Sequence, residues 1–396
     1  MPAPTPRAWL IVCALGVAQI ISWGSYFYAF ALLMQPLQQQ LEASQAVVVG
    51  AFSLALLVAG ILSAPVGRWI DQHGGHALMS WGSLAGAALL ALLSQVQSLL
   101  QLYLVWAGLG AVMAATLYDP AFAVLARLFK EGPRKAITVL TLFGGFASTV
   151  FWPLTQGLLD TLDWRQTLWV LAAINLLLCV PIHALLLPRA APAGRHAAAA
   201  APPRTRWREL LARPGFGWLC AAFTANTLVF SALAVHLLTL LGSRGLSPSQ
   251  AAWVGALIGP MQVLGRVLEF VFLGQVRPSR LGALTLWLLP ASLAVLLLAE
   301  GASPWIALFA LLYGAGNGMM TIVRGALPAE LYGREQYGAI NGALATPVLL
   351  SKAAGPVLAA WLLGWLAPLP LIGVLAALGA IAALLFAQAI ASHRSS

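Results

Sequence analysis

The stretch Gly67-Arg68-Trp69-Ile70-Asp71-Gln72-His73-Gly74-Gly75-His76 decides the fold. It is a short polar turn, rich in glycine and charge, hung between two long apolar runs at 45–65 and 77–96. A bilayer core of roughly 30 Å takes about 20 apolar residues in helix to cross. Working outward from the turn, the chain holds twelve runs of that order. Six lie at 8–34, 45–65, 77–96, 99–125, 136–159 and 166–187, and six at 216–241, 251–273, 281–299, 305–321, 338–363 and 369–389. With 61% of its 396 residues hydrophobic and only 8% charged, the chain is expected to be an all-α integral membrane protein. The expected fold is twelve transmembrane helices in two six-helix pseudo-repeat bundles, 1–187 and 215–396, with 188–214 as the linker.

The basic residues set the orientation, because short loops rich in Lys and Arg stay in the cytoplasm. With the spans numbered 1 to 12 and the N-terminus inside, sixteen of the 21 Lys and Arg fall in the termini and the even-to-odd connections. Only Arg165 and Arg244 fall on the other side, while Arg266, Arg324 and Lys352 lie inside spans. Such segregation expects both termini in the cytoplasm and a place in the bacterial inner membrane. It also assigns the net charge of +10 to a lipid-facing cytoplasmic surface, where anionic lipid attracts it, and not to nucleic acid. The first run is long enough to span, so it is expected to remain as an anchor.

The linker holds Ala197 to Ala201, Pro202, Pro203 and the cluster Arg204, Arg206 and Arg208, with 207–211 as a candidate interfacial helix. Cys13, Cys179 and Cys220 fall in or beside spans without metal-ligand spacing. They read as small apolar core residues, or else as soft ligands for a metalloid.

Two six-span halves joined by a cytoplasmic loop suggest a transporter, since internal repeats let one bundle rock against the other around a central site. The opening stretch makes the suggestion specific. The order Gly67, three residues, Asp71, two residues, Gly74 resembles the signature loop of the major facilitator superfamily. The resemblance implies a gating latch on the cytoplasmic side, with Gly67, Arg68, Asp71 and Gly74 as its residues. The usual basic residue after the Asp is Gln72 here, and the terminal basic pair is reduced to His76. The family's basic motif in span 4 is absent, and of the exporter pattern in span 5 only Gly144, Pro153 and Gly157 match.

Charge taken into a membrane costs about 2.5–3.5 kcal/mol on insertion scales, so the chemistry is expected where charge lies inside a span. Asp119 lies eight positions before Arg127, about 12 Å above the cytoplasmic end of a regular helix. It either caps a helix that restarts at Tyr118-Asp119-Pro120 or carries a proton. Arg324, at the end of span 10, continues a polar stripe with Tyr313, Asn317 and Thr321. That stripe reads as cavity lining, or Arg324 pairs with Asp119 or Glu330, or it snorkels. Lys352 lies deep in span 11 on the face of Asn341 and Ala345, where an ammonium needs an anion. Arg266 and Glu269, three residues apart in span 8, either neutralise one another or join a substrate site.

A cation in span 8 with a lysine in span 11 is similar to the oxalate/formate exchanger and monocarboxylate branch of that superfamily. The resemblance implies that Arg266 and Lys352 face a small carboxylate across the cavity, the first as a planar fork and the second as a point charge. The facing wall is expected from span 1, with Gln19, Ser22, Trp23, Tyr26 and Phe30, and from span 7, with Phe223, Asn226 and Phe230. Trp152 of span 5 is expected to reach the cavity. Packing is the alternative for each of these stripes.

Together these readings expect a secondary active transporter of a small organic anion, working by alternating access. Its substrate residues would be Arg266, Arg324, Lys352, Tyr26, Trp23, Asn226, Asn317 and Trp152, with Asp119 and Glu269 as proton-coupling acids. No cofactor or metal is expected. The expected partners are a small-molecule substrate, protons and lipid, around a monomer. The rival readings are an exporter of drugs or arsenicals and a transporter-like membrane sensor. An embedded enzyme is disfavoured, since the spans carry no paired His with Glu, nucleophile elbow or Cys cluster.

Overall fold

The computed structural model describes residues 6–129, 133–189, 213–269, 272, 276–333 and 337–394. Among them twelve helices are long and apolar enough to cross a membrane. They are α1 Pro6–Leu41, α2 Gln45–Ile70, α3 His76–Leu93, α4 Leu99–Leu128, α5 Lys135–Thr161 and α6 Trp164–Leu186. The second six are α7 Phe216–Ser243, α8 Pro248–Leu268, α9 Pro278–Leu298, α10 Pro304–Tyr332, α11 Ala343–Leu363 and α12 Pro368–His393. Within the first unit exposed tryptophans lie near helix ends, Trp69 and Trp81 near the turn between α2 and α3 and Trp169 near the start of α6; within the second, Trp218, Trp253, Trp305, Trp361 and Trp365 lie near helix ends and Trp287 lies in the middle of α9. Near a helix end such an amphipathic ring can reach the headgroup level.

The chain forms two compact units, Met1–His196 and Ala197–Ser396. Their internal packing repeats with an offset of six helices. In the first, α1 packs on α5, α2 on α4, and α3 on both α4 and α6; in the second, α7 packs on α11, α8 on α10, and α9 on both α10 and α12. Small residues make the close approaches possible, as expected where helices associate by packing in lipid. A Cβ on Gly110 of α4 would strike the backbone of Ala55 in α2. Across α8 and α10, Gly265 faces the backbone of Ala315, and Gly318 that of Gln262.

Local chemistry starts and stops the helices where the turn signals stand. Asp163 with Gln166, and Ser247 with Gln250, form reciprocal capping boxes at the starts of α6 and α8. Gly74 and Gly333 end their helices at φ 78° and 79°, a region that side chains rarely enter.

Several expectations need correction. Gly67 to His73 are not loop: the helix of α2 runs on from Gln45 to His73, and the turn is confined to Gly74 and Gly75. Polar and charged residues extend a helix beyond the bilayer as readily as they form a turn, so the charge change marked the membrane edge and not the helix end. α10 likewise continues past Thr321 to Tyr332, passing through Pro328. Arg324 therefore lies inside the helix, not at its end. Cys13 is exposed on α1 and Cys220 is half-buried, so only Cys179 is a core residue. The linker segment 190–212, including the candidate interfacial helix, lies outside the described residues.

Candidate functional site

The turn after α2 is built around one carbonyl. Ile70 O accepts from Gly74 N at 2.8 Å and from Arg127 Nη1 at 2.7 Å, so the last turn of α2 is tied to the end of α4. A Cβ on Gly75 would collide with Val124, which requires glycine there. His76 Nε2 lies 2.9 Å from Ala184 O of α6. A cavity of about 360 Å³ lies at the corresponding end of the second unit, lined by Arg277, Ser279, Glu330 and His393 among others, and one of about 170 Å³ lies beside Gly74, His76 and Arg127. Arg68 is exposed, Gly67 has open space around it, and the side chain of Asp71 lies outside the described residues.

In the first unit, α4 breaks at Leu117 and restarts as Tyr118–Leu128. Asp119 stands in the first turn of the restarted segment, where the helix dipole favours a negative charge, and Leu117 is the N-cap. Its carboxylate accepts from Ser63 Oγ of α2 at 2.7 Å. The residue is exposed, which corrects the expectation of an enclosed acid. Ser63 carried no signal in sequence, because a lone serine in an apolar run reads as packing.

The α1 stripe is mostly interior. Tyr26 and Phe30 are fully buried, with Phe30 stacked on Phe52 at 4.4 Å and the Tyr26 hydroxyl lodged beside Gly86 of α3. Gln19 Nε2 donates to Thr116 O at 2.8 Å, and Ser22 Oγ lies 3.8 Å from Cys179 Sγ. Trp23 is half-buried, 5.2 Å from the Tyr118 ring. Trp152 is buried too, donating from Nε1 to Tyr28 O at 3.0 Å. For Tyr26 and Trp152 the packing alternative therefore describes this structure, since both rings are spent inside their own bundle.

In the second unit the structure brings Arg324 of α10 against α7. The guanidinium donates from Nη2 to Thr227 Oγ1 and lies 5.7 Å over the Phe223 ring. Thr227 Oγ1 in turn donates to Phe223 O at 2.7 Å. Arg324 Nε is enclosed without a partner, and among the described residues no carboxylate lies within ion-pairing distance of Arg324. The pairing with Glu330 is overturned, because that carboxylate accepts from Ser279 N and Oγ at 2.9 and 2.8 Å. Asn226, one turn after Phe223, is buried with its Nδ2 unmatched among the described residues. Asn317 is half-buried on α10, and Tyr313 above it packs on Phe230 at 5.1 Å. Thr227 was missed in sequence for the same reason as Ser63.

Lys352 is half-buried in α11, and the Asn341 side chain expected on its face lies outside the described residues. Arg266 occupies the last turn of α8, its Nε donating to Gly318 O at 3.3 Å, and Glu269 is the C-cap of that helix. The described helix runs through both, with Glu269 in helical geometry, and no ion pair between the two is seen among the described residues.

A family model described as Major Facilitator Superfamily matches residues 15–299. The chain belongs to the Major Facilitator Superfamily. Mouse monocarboxylate transporter 11 is 31% identical over 201 residues, covering 50% of this chain and 43% of that protein. Human monocarboxylate transporter 11 is 29% identical over 201 residues, covering 50% and 41%. The chain thus spans less than half the length of these curated relatives. In structure, this superfamily member resembles the nucleoside transporter NupG, with a TM-score of 0.74, 14% identity, and coverage of 98% of this chain and 99% of that one. It also resembles a bacterial homolog of the human lysosomal transporter Spinster in an inward-facing and occupied conformation, with a TM-score of 0.69, 14% identity, and coverage of 100% and 98%. These likenesses share the twelve-helix fold.

Proposed function

We propose that this superfamily member carries a small organic anion, a monocarboxylate, across the membrane by alternating access and with proton coupling. The observation that carries the reading is Arg324. A guanidinium taken into an apolar helix demands an anion, and here its neighbours are a hydroxyl and an aromatic ring. An arginine fork in that setting suits a carboxylate, which accepts two parallel hydrogen bonds. Lys352, half-buried in α11, supplies a second positive charge to the same unit, and Asn226 and Asn317 are the neutral polar groups proposed to line the site. Arg266, in α8, is proposed to guide the anion inward. Monocarboxylate transporters from mouse and human among its relatives support the same substrate class. Asp119, exposed and accepting from Ser63 Oγ, is the proposed proton carrier, with Glu269 as a second acid.

Thermal unfolding of the detergent-purified full chain tests this against small mono- and dicarboxylates, aromatic acids and cationic drugs. A monocarboxylate is expected to raise the midpoint of the wild type and to leave Arg324→Gln and Lys352→Ala unchanged. Stabilisation of all three proteins by cationic drugs, with no response to acids, would replace the anion reading with drug export.

A further inference from the structure

Between α1, α3, α4 and α6 the first unit holds a polar seam that the anion reading does not use. Asn175, Cys179 and His183 recur at every fourth residue of α6, and each is fully enclosed. Asn175 Nδ2 donates to Ser25 Oγ of α1 at 2.9 Å, and His183 Nδ1 lies 2.7 Å from Ser83 Oγ of α3. Between them the Cys179 thiol sits 3.8 Å from Ser22 Oγ and 3.9 Å from Ala18 O.

Four enclosed atoms on this seam have no partner among the described residues: Gln19 Oε1, Tyr26 Oη, Asn175 Oδ1 and His183 Nε2. An enclosed polar group left unmatched costs about 1–3 kcal/mol, so four on one seam make its closed form a poor resting state. The backbone is widened at the same level. α1 is π-helical over Gly24–Tyr28, and α6 over Asn175–Cys179 and Ile182–Leu186. Such turns recur where a helix serves function, and they are where it rearranges most easily. Residues 8–41, 77–118 and 166–188 contain no Asp, Glu, Lys or Arg, so the unmatched groups face neutral walls. A mixed set of neutral donors and acceptors suits water, which makes two to four hydrogen bonds to buried polar groups.

We propose that the seam opens locally to bind a short file of water, with Cys179 and His183 in proton exchange with it. The first unit then has a water-binding site of its own, separate from the anion site of the second.

Cys179 is the natural reporter. Replacing the exposed Cys13 and the half-buried Cys220 by serine in the full chain leaves one thiol, whose S–H stretch stands apart in the infrared. After transfer into D2O, the stretch is expected to convert to S–D within minutes, well ahead of the amide protons of the helical core. His183→Phe, which fills the seam with an apolar ring, is expected to slow that conversion at least tenfold. A stretch that persists until the core amides exchange would overturn the proposal, because the thiol would then be reached only through global opening. Equal exchange rates with and without the phenylalanine would overturn the seam as the route.

Discussion

Arg324 and Lys352 each stand four residues ahead of a proline, Pro328 and Pro356, and a proline offers no N–H to the carbonyl one turn back. Each intramembrane cation is therefore set in a turn whose helical ladder is interrupted, which adds polar backbone beside the charge. Because the Arg324 guanidinium has a hydroxyl partner and, among the described residues, no carboxylate, Thr227→Val removes one hydrogen bond and leaves the charge in place. Hydrogen bonds to charged groups contribute about 1.5–3 kcal/mol, so titration calorimetry is expected to show acid binding weakened roughly tenfold or more in Thr227→Val. Arg324→Gln, which removes the charge, is expected to abolish the binding. Asp119→Asn keeps an acceptor for Ser63 Oγ and removes only the titrating charge. Gradient-driven accumulation in proteoliposomes is expected to fail in that variant while counterflow exchange continues. Accumulation that kept its full dependence on the pH gradient would take Asp119 out of the coupling step.

The two units use the same helix pairs with different helices. α1, α4, α5 and α6 of the first are interrupted by π-turns or restarts, whereas α7, α9 and α10 of the second run through their described interior positions without such a break, in two cases past an interior proline. In the second unit the rigid contact is α8 against α10, where Gly318 meets the Gln262 backbone directly. Backbone cannot move aside as a side-chain tip does, so Gly318→Leu is expected to cost more than 3 kcal/mol, on the order of other severe core substitutions. Gly373 in α12 has open space at its Cβ position, and Gly373→Ala is expected to be neutral or to stabilise by up to about 1 kcal/mol through helix propensity. Paired unfolding curves of the two variants in one detergent check both at once.

At the scale of the molecule, charge asymmetry makes the remaining prediction. The placing of sixteen of 21 basic residues in the termini and even-to-odd connections predicts that reporters fused at either terminus face the cytoplasm. A protease-protected tag at both ends in right-side-out cells is the expected outcome, and a tag cleaved from outside would invert the topology. The twelve helices were legible because crossing a bilayer imposes length and hydropathy on each segment independently of its neighbours. The stripe on α1 was less so: Tyr26 and Phe30 share a face with Gln19, and periodicity cannot tell a face that lines a cavity from one that fills a bundle.

The amino-acid sequence by itself determined the membrane environment, the span number and the superfamily, since these rest on composition, segment length and a glycine-bounded turn. Tertiary structure decided which polar residues are spent on their own bundle and which are left with unmet demands. Trp152 and Glu330 find partners on neighbouring helices, while among the described residues Gln19, Arg324, Asn226 and His183 keep unmatched atoms. The reason is physical. A polar side chain in an apolar helix carries the same desolvation penalty wherever it stands, and only the helix packed against it settles whether a donor or acceptor is there to offset that penalty.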